Sequence, residues 1–485
     1  MKLFARARPV YLDANATTPV SPAVRRAMLD VLDHHGGNPS AVHRAGRDAQ
    51  RVIEAARARV AAAINATPAE ITFTSGATEA NNTVLRMLAA RATPARNRLV
   101  TSPVEHSSVR AVAEYLATQG VEVVWLPVDA HGRVRREDLD AVLDERVFLV
   151  SLMLANNELG TLNPVAELAQ RAHGVGALFH ADCVQALGKI AVDVRELGID
   201  YASFSAHKLY GPKGIGVLYA REGAPVYAHA IGGHQERGLR AGTEAVHDIA
   251  GCGEAFAGVA ALLAKAGEVT RRRDALREAL HAQGVAFAEN SPRDGVIGNT
   301  LNLRFPGVRN SDLLAFLDAQ GIAVSAGSAC AARGGAASHV LKAIGLSDQQ
   351  AQESLRLSLG PDVSDEDILR VARRVGEFVR GEAPPVTLVN PADVDAGWLD
   401  DAQNYVLDVR FGIERRLMKG LPAAHEIPFT SFNRHLGSIP RDRNVLVVCS
   451  TGVDASVVAY ALKAQGHPRV GLLVGGVVAW RALQP

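Results

Sequence analysis

The chain has 485 residues, of which 48% are hydrophobic and 21% charged, with a formal net charge of +1. That length exceeds one ordinary core and predicts several domains, and the charge balance excludes phosphate-backbone binding as the main business of the molecule, so no direct nucleic-acid partner is expected. The first apolar run is too short for a signal peptide and no stretch approaches the roughly 20 apolar residues of a membrane span, so the reading is a cytoplasmic protein without a membrane partner.

Between about residues 50 and 250, strand-like runs such as RLVTSPVEH, VEVVWLPV, VFLVSLMLAN and ALFHAD alternate with alanine-rich helical segments. This alternation predicts an α/β domain on a mostly parallel sheet, with ligand-contacting residues gathered where strands end. A long helical stretch leads into a second region, residues 256–380, with strands at TLNLRF and IAVSAG and a helix at DEDILRVARRVGEFVR. GEAPPVTLVNPADVDAG then clusters proline, glycine and polar residues, the composition of a linker. Beyond it, NYVLDVR, NVLVVCS and DASVVAYALKAQG carry strand and helix patterns of a third small α/β domain.

Three places carry chemistry. ITFTSGATEANN reads as a strand, a small-residue turn and a helix, whose first N–H groups face a phosphate or simply form a cap. YASFSAHKLYGPKGIG delivers Ser205, His207 and Lys208 to a glycine-rich turn; such a lysine forms a Schiff base if shielded and deprotonated, and is otherwise an exposed turn residue. ALFHADCVQALGK ends a strand at Asp182, a carboxylate able to keep a pyridine nitrogen protonated. The four cysteines, Cys183, Cys252, Cys330 and Cys449, lack paired spacing, so neither a disulfide framework nor a metal site is indicated.

TSGATEANN, the Glu105–His106 pair, NNELGT, HADCVQALGK, SAHKLYGPKGIG, GGHQERGLRAGT and SAGSAC follow one another in an order that resembles the cysteine desulfurases, over residues 10–380. The resemblance implies a homodimer of pyridoxal-phosphate subunits of fold type I, with a large domain over 1–255, an N-terminal segment shared with a small domain over 256–380, a linker over 381–391 and a tail over 392–485. It implies that Lys208 holds the cofactor and shuttles a proton, and that His106 stacks on its ring as acid or base. Asp182 would pair with the pyridine nitrogen and Gln185 with the ring hydroxyl. Ala77, Thr78, Ser205 and His207 would hold the phosphate, joined by Thr243 of the neighbouring subunit. Asn157 and Arg356 would orient L-cysteine, the arginine by a two-pronged bond to its carboxylate.

Cys330 sits in VSAGSACAARGGAASHVLKAIG, where small residues offer little apolar anchorage, so a mobile loop is expected, with Arg333 adding positive charge. On this reading Cys330 attacks the sulfur of cofactor-bound cysteine, releasing L-alanine and leaving a persulfide. A selenocysteine lyase would use the same cofactor site. Cys183 and Cys252 read as small buried hydrophobes.

The tail resembles a rhodanese domain, with Cys449 at a strand end before a helix, where backbone N–H groups would surround its sulfur and stabilise an anion. It departs from that family's C-x-x-G-x-R at Asp454, which disfavours an anionic donor such as thiosulfate or simply caps the next helix, and from its usual turn at Leu421. The tail either receives sulfur from Cys330 or serves only as a docking module. The final acceptor is a protein or a small thiol, with iron–sulfur cluster assembly among the candidate destinations.

Overall fold

The structure, a computed structural model, describes residues 8–327 and 337–484. Its strands run in chain order from β1 (Val10–Tyr11) through β2 (Ile71–Thr74), β3 (Arg98–Thr101), β4 (Glu122–Trp125), β5 (Val147–Met153), β6 (Leu178–Asp182), β7 (Tyr201–Ser205) and β8 (Gly216–Ala220). Strands β2 to β8 form one sheet in the order β2-β8-β7-β6-β5-β3-β4, parallel except for β8, which runs antiparallel to both neighbours. β5 reads VFLVSLM and is buried throughout, as a central parallel strand covered on both faces must be. Alternation sends its side chains to two cores. Leu149 opposes Leu99 under the helices Ala77–Ala89 and Ser107–Thr118, while Val150 opposes Val100 under Arg44–Ala63, Val165–Gly174 and Val246–Ala257.

The next strands are β9 (Ala288–Glu289), β10 (Thr300–Arg304), β11 (Ile322–Ala323) and β12 (Ser354–Ser358). β12, β10 and β9 form an antiparallel sheet, and β11 pairs in parallel with β1, so the N-terminal segment joins this second unit. Val10 and Leu12 lie in one core with the helices Val259–Ala282, Asn310–Ala319 and Asp365–Val379. The last of these starts on a reciprocal cap between Ser364 and Asp367.

The tail carries β13 (Thr387–Val389), β14 (Asn404–Asp408), β15 (His425–Glu426), β16 (Asn444–Val448) and β17 (Val470–Leu473) in a parallel sheet of order β13-β17-β16-β14-β15. Here the sequence expectation of a linker over 381–391 needs correction, because Thr387–Val389 pairs along the edge of β17. The proline pair ahead of it masks the signal, and three residues suffice to cover an open strand edge.

At the end of β14, Arg410 forks onto Asp408, with Nη2 2.7 Å and Nε 3.0 Å from its oxygens, and also donates to Met418 O at 2.8 Å. Both side chains are almost fully buried. Replacing Asp408 by alanine leaves the guanidinium uncompensated and is expected to destabilise the tail by about 3–5 kcal/mol. Urea unfolding followed at Trp398 and Trp480, both in the tail, measures this, and an unchanged midpoint would contradict it.

The helix Val453–Ala464 is apolar on two sides. One side covers its own sheet, and the other packs against Asn310–Ala319 of the second unit. Tyr460 sits 6.2 Å from Phe316 and 5.9 Å from Phe378, ring centre to ring centre. Burial there pushes the Asp312 carboxyl up, offset in part by Arg309 and by the hydroxyls of Ser311 and Ser456. No single helix among the described residues is long and apolar enough to cross a membrane.

Candidate active site

Because β8 is antiparallel to both β2 and β7, the strands β2, β3, β5, β6 and β7 all end at one edge of the large sheet. A cavity of about 520 Å³ opens there. It collects Ala77 and Thr78 from beyond β2, His106 from beyond β3 and Asn157 from beyond β5. Asp182 and Gln185 come from the end of β6, Ser205, His207 and Lys208 from the end of β7, and Arg356 from β12. Every cofactor- and substrate-binding residue expected from this chain's own copy is therefore brought together.

Thr243 is exposed and does not line this cavity. Cys330 and Arg333 lie outside the described residues. The segment that contains them is entered through Ser325, whose hydroxyl donates to Gly327 O at 2.8 Å, and left through Ser338, which donates to the buried Glu158 at 2.6 Å.

At the anion end, the first backbone bonds of the helix Ala77–Ala89 come from Glu79 and Ala80 to Gly76 O, so the Ala77 and Thr78 amides point out of the helix start. Gly216 lies between Thr74 and Ser205 in register, and a Cβ there would stand 2.6 Å from the Gly76 backbone. Only glycine lets the turn close this tightly. His207 bonds Thr17 Oγ1 at 3.1 Å, and its pKa is pushed down to about 4 by burial and by Lys208 and Lys213.

Lys208 Nζ donates to Asn15 O at 2.6 Å and Ala16 O at 2.7 Å. Asn15 is a hub that the sequence reading missed. Its carbonyl also accepts from Gln185 Nε2 at 2.9 Å, its side-chain oxygen accepts from Lys189 Nζ at 2.9 Å, and its amide donates to Thr300 Oγ1 at 2.8 Å. Lys189, likewise missed, also donates to Gln185 Oε1. Burial, Lys208 and Arg356 together hold the Lys189 ammonium well below its ordinary range. The available signal was its spacing of four residues from Gln185 in HADCVQALGK.

Asp182 accepts from Asn81 Nδ2 at 2.9 Å and from Val184 N at 3.0 Å. His106 ends the loop after β3 as the cap of Ser107–Thr118, and burial pushes its pKa down. The loop is pinned by Glu105, which accepts from Ser102 Oγ at 2.8 Å and Met153 N at 3.1 Å, and whose carboxyl is pushed up to about 8 by burial.

Arg356 is 2% exposed, donating from Nη1 to Asn157 O at 3.0 Å and from Nη2 to Asp13 at 2.7 Å. Its Nε and the Asn157 side-chain oxygen are buried with no partner in the protein. Two such atoms at one cavity wall, one donor and one acceptor, suit a zwitterionic ligand. Hydrophobic and cationic walls, a helix start at one end and a carboxylate at the other suit a phosphorylated pyridine.

In the tail, Cys449 Sγ accepts from Gly452 N at 3.1 Å and Ala455 N at 3.4 Å, as the strand-to-helix geometry predicts. The expected stabilisation of its anion is not the net result. The sulfur lies under the helix in an apolar core, and burial, with a smaller push from Asp454, raises the thiol despite the backbone donors. Cys183 and Cys252 are fully buried, and burial pushes both thiols up, which suits packing and not chemistry.

The sequence model of the class-V aminotransferases matches residues 10–371, and that of the rhodanese-like domain matches residues 392–483. A protein of Dictyoglomus turgidum named cysteine desulfurase IscS is 40% identical over 383 residues, covering 78% of this chain and 97% of the relative. A Sinorhizobium fredii cysteine desulfurase is 42% identical, covering 77% and 97%. Among solved structures, a NifS-like protein superposes with a TM-score of 0.73 at 36% identity over 77% of this chain and all of that one. A structure titled SspA in complex with cysteine has a TM-score of 0.65 at 34% identity, covering 73% and 99%.

Proposed function

The chain belongs to the class-V aminotransferase family as a pyridoxal-phosphate cysteine desulfurase with a rhodanese-like domain behind it, and from that premise we propose that its own residues divide the reaction as follows. The observation that carries the reading is the meeting of Lys208, Asp182 and Arg356 around one cavity.

Pyridoxal phosphate supplies, when bound, an electron sink for charge developing at the substrate's α-carbon. The amides of Ala77 and Thr78, with Ser205 and His207, would hold its phosphate, Asp182 would pair with the pyridine nitrogen and Gln185 with the ring hydroxyl. Arg356 and Asn157 orient L-cysteine through the orphaned atoms described above. Lys208 Nζ removes the α-proton and returns it to carbon. Cys330 Sγ attacks the substrate sulfur, so an S–S bond forms as the C–S bond breaks, and the released electron pair is protonated at carbon to give L-alanine. Thr243, exposed on its own subunit, completes the phosphate site of a second copy in a homodimer.

We further propose a relay. The Cys449 thiolate attacks the outer sulfur of the Cys330 persulfide, that S–S bond breaks, and Cys330 leaves as a thiolate. What supports this is the packing of Val453–Ala464, the helix that follows Cys449, on Asn310–Ala319, which leads through β11 to Ser325 and Gly327 at the entrance to the Cys330 segment. Anchorage to one framework gives the two thiols a high effective concentration. From Cys449 the sulfur passes to a protein or thiol acceptor.

Persulfide mapping by mass spectrometry after a pulse of L-cysteine tests the scheme. Wild type is expected to carry sulfane sulfur on both cysteines, Cys449→Ala on Cys330 alone, and Cys330→Ala on neither. Absence of label on Cys449 in the wild type would make the tail a docking module. Label on Cys449 in Cys330→Ala would mean that sulfur reaches it by another route.

A further inference from the structure

Asn81 is fully buried on the inner face of the helix Ala77–Ala89 and lies outside every role assigned above. Its amide nitrogen stands 2.8 Å from Ser108 Oγ and 2.9 Å from Asp182 Oδ2, so both of its hydrogens are committed. The opposite orientation would set a carbonyl oxygen against a carboxylate with no proton between them. The orientation seen leaves Asn81 Oδ1 buried without a partner. An unsatisfied buried carbonyl is a real cost, retained here for the sake of the two donors on the other side.

Beyond Ser108 the chain of bonds continues to His106. The Ser108 backbone N–H points at His106 Nδ1 from 3.2 Å, and an amide can only donate, so Nδ1 is an acceptor and the ring proton resides on Nε2. The Ser108 hydroxyl, 2.8 Å from the same nitrogen, must then donate as well, which is possible because Asn81 occupies its oxygen as a donor. We propose that Asn81 is a positioning residue which, through Ser108, fixes His106 as the neutral Nε2–H tautomer and ties that choice to the Asp182 carboxylate. Protonation at Nδ1 requires the Ser108 hydroxyl to turn away and strands its amide. His106 therefore donates a hydrogen bond from Nε2 and is not the base, which leaves proton removal to Lys208.

The inference rests on the proposed function only for the assignment of proton removal to Lys208. Charged and titratable groups facing the ring are Asp182, which favours its protonation, Glu158, which acts likewise, and Lys208 and His339, which oppose it, with His207 also within electrostatic reach. Ser108 is bonded to none of these, whereas Asn81→Ala also removes a hydrogen bond from Asp182, so Ser108→Ala isolates the part played by the hydroxyl.

The test uses holoenzyme labelled with nitrogen-15 at histidine, with His106 assigned by its loss in His106→Gln. Wild type is expected to show an unprotonated Nδ1 and a protonated Nε2 across the neutral range. Asn81→Ala and Ser108→Ala are each expected to raise the midpoint of His106 protonation by about one pH unit, the scale of one neutral hydrogen bond lost from the unprotonated ring, while Ser108→Thr keeps the wild-type value. A proton on Nδ1 in the wild type would overturn the proposal, as would an unchanged midpoint in either alanine variant; should Asn81→Ala fail to fold, Ser108→Ala still decides it. Alanine release by the same wild-type sample tests the desulfurase reading separately, so the two can fail independently.

Discussion

Replacing Lys208 by alanine is expected to lower L-alanine release from L-cysteine at least about 10³-fold, within the 10²–10⁴ range for loss of a positioned acid–base group and with loss of a covalent anchor added to it. The argument starts from position. Lys208 follows β7 directly, in a one-turn helix whose fold is fixed by strand register, and its Nζ is held between two carbonyls, Asn15 O and Ala16 O. Those bonds orient the amine toward the cavity without neutralising it. Lys189 adds a second amine nearby, which burial and the charges of Lys208 and Arg356 hold well below its ordinary range. An amine works as a base only when deprotonated. Among the described residues no other amine both lines the cavity and bonds the Asn15 carbonyl, so Lys189 cannot replace it in geometry. Parallel assays of alanine and of protein-bound sulfane sulfur, with cofactor absorbance as a check on folding, provide the measurement. Normal rates of both products in Lys208→Ala would end the account of the site.

The large sheet and its cavity were legible because their signals are local. A strand that ends in a short polar run and a glycine turn, as at Ser205–Lys208 or Thr74–Gly76, announces itself in consecutive residues, and the order of such runs fixes the edge on which they meet. Asn15 and Asn81 gave no such signal. Their roles arise from contacts across the fold, Asn15 to Lys208 and Thr300, Asn81 to Ser108 and Asp182, and a lone asparagine in LDANATT or at mid-helix looks like a turn or a solvated face. Thr387–Val389 was hidden for a different reason: an edge strand needs only one neighbour, so its pattern is too short to outweigh the prolines before it. At Cys449 the local geometry was right and its electrostatic consequence was not, because how deeply the sulfur is buried depends on the helix that covers it. A thiol raised in this way is a weak nucleophile by itself.

The second large effect is expected at Arg356. Because the residue is 2% exposed and spans β12 to Asp13 and Asn157, alanine would remove packing along with chemistry, so lysine is the informative substitution. Lysine keeps the charge and can reach one of the present partners, but it has no second, parallel donor. If the orphaned Nε and a neighbouring Nη together grip the substrate carboxylate, the fork is lost. The lost bond to a charged group is worth about 1.5–3 kcal/mol, or roughly 10- to 150-fold in kcat/KM. The way that loss divides between the two constants tells what the arginine does. A residue that holds the carboxylate equally in ground and transition states shows the change in KM alone, whereas one that also aligns the α-hydrogen with Lys208 lowers kcat too. Since Arg356 is fastened at both ends to structure that also carries Asn15 and Asn157, alignment should matter, and a fall in both constants is expected. Unaltered kcat/KM in Arg356→Lys would show that the carboxylate is held elsewhere and would leave the buried Nε without a ligand.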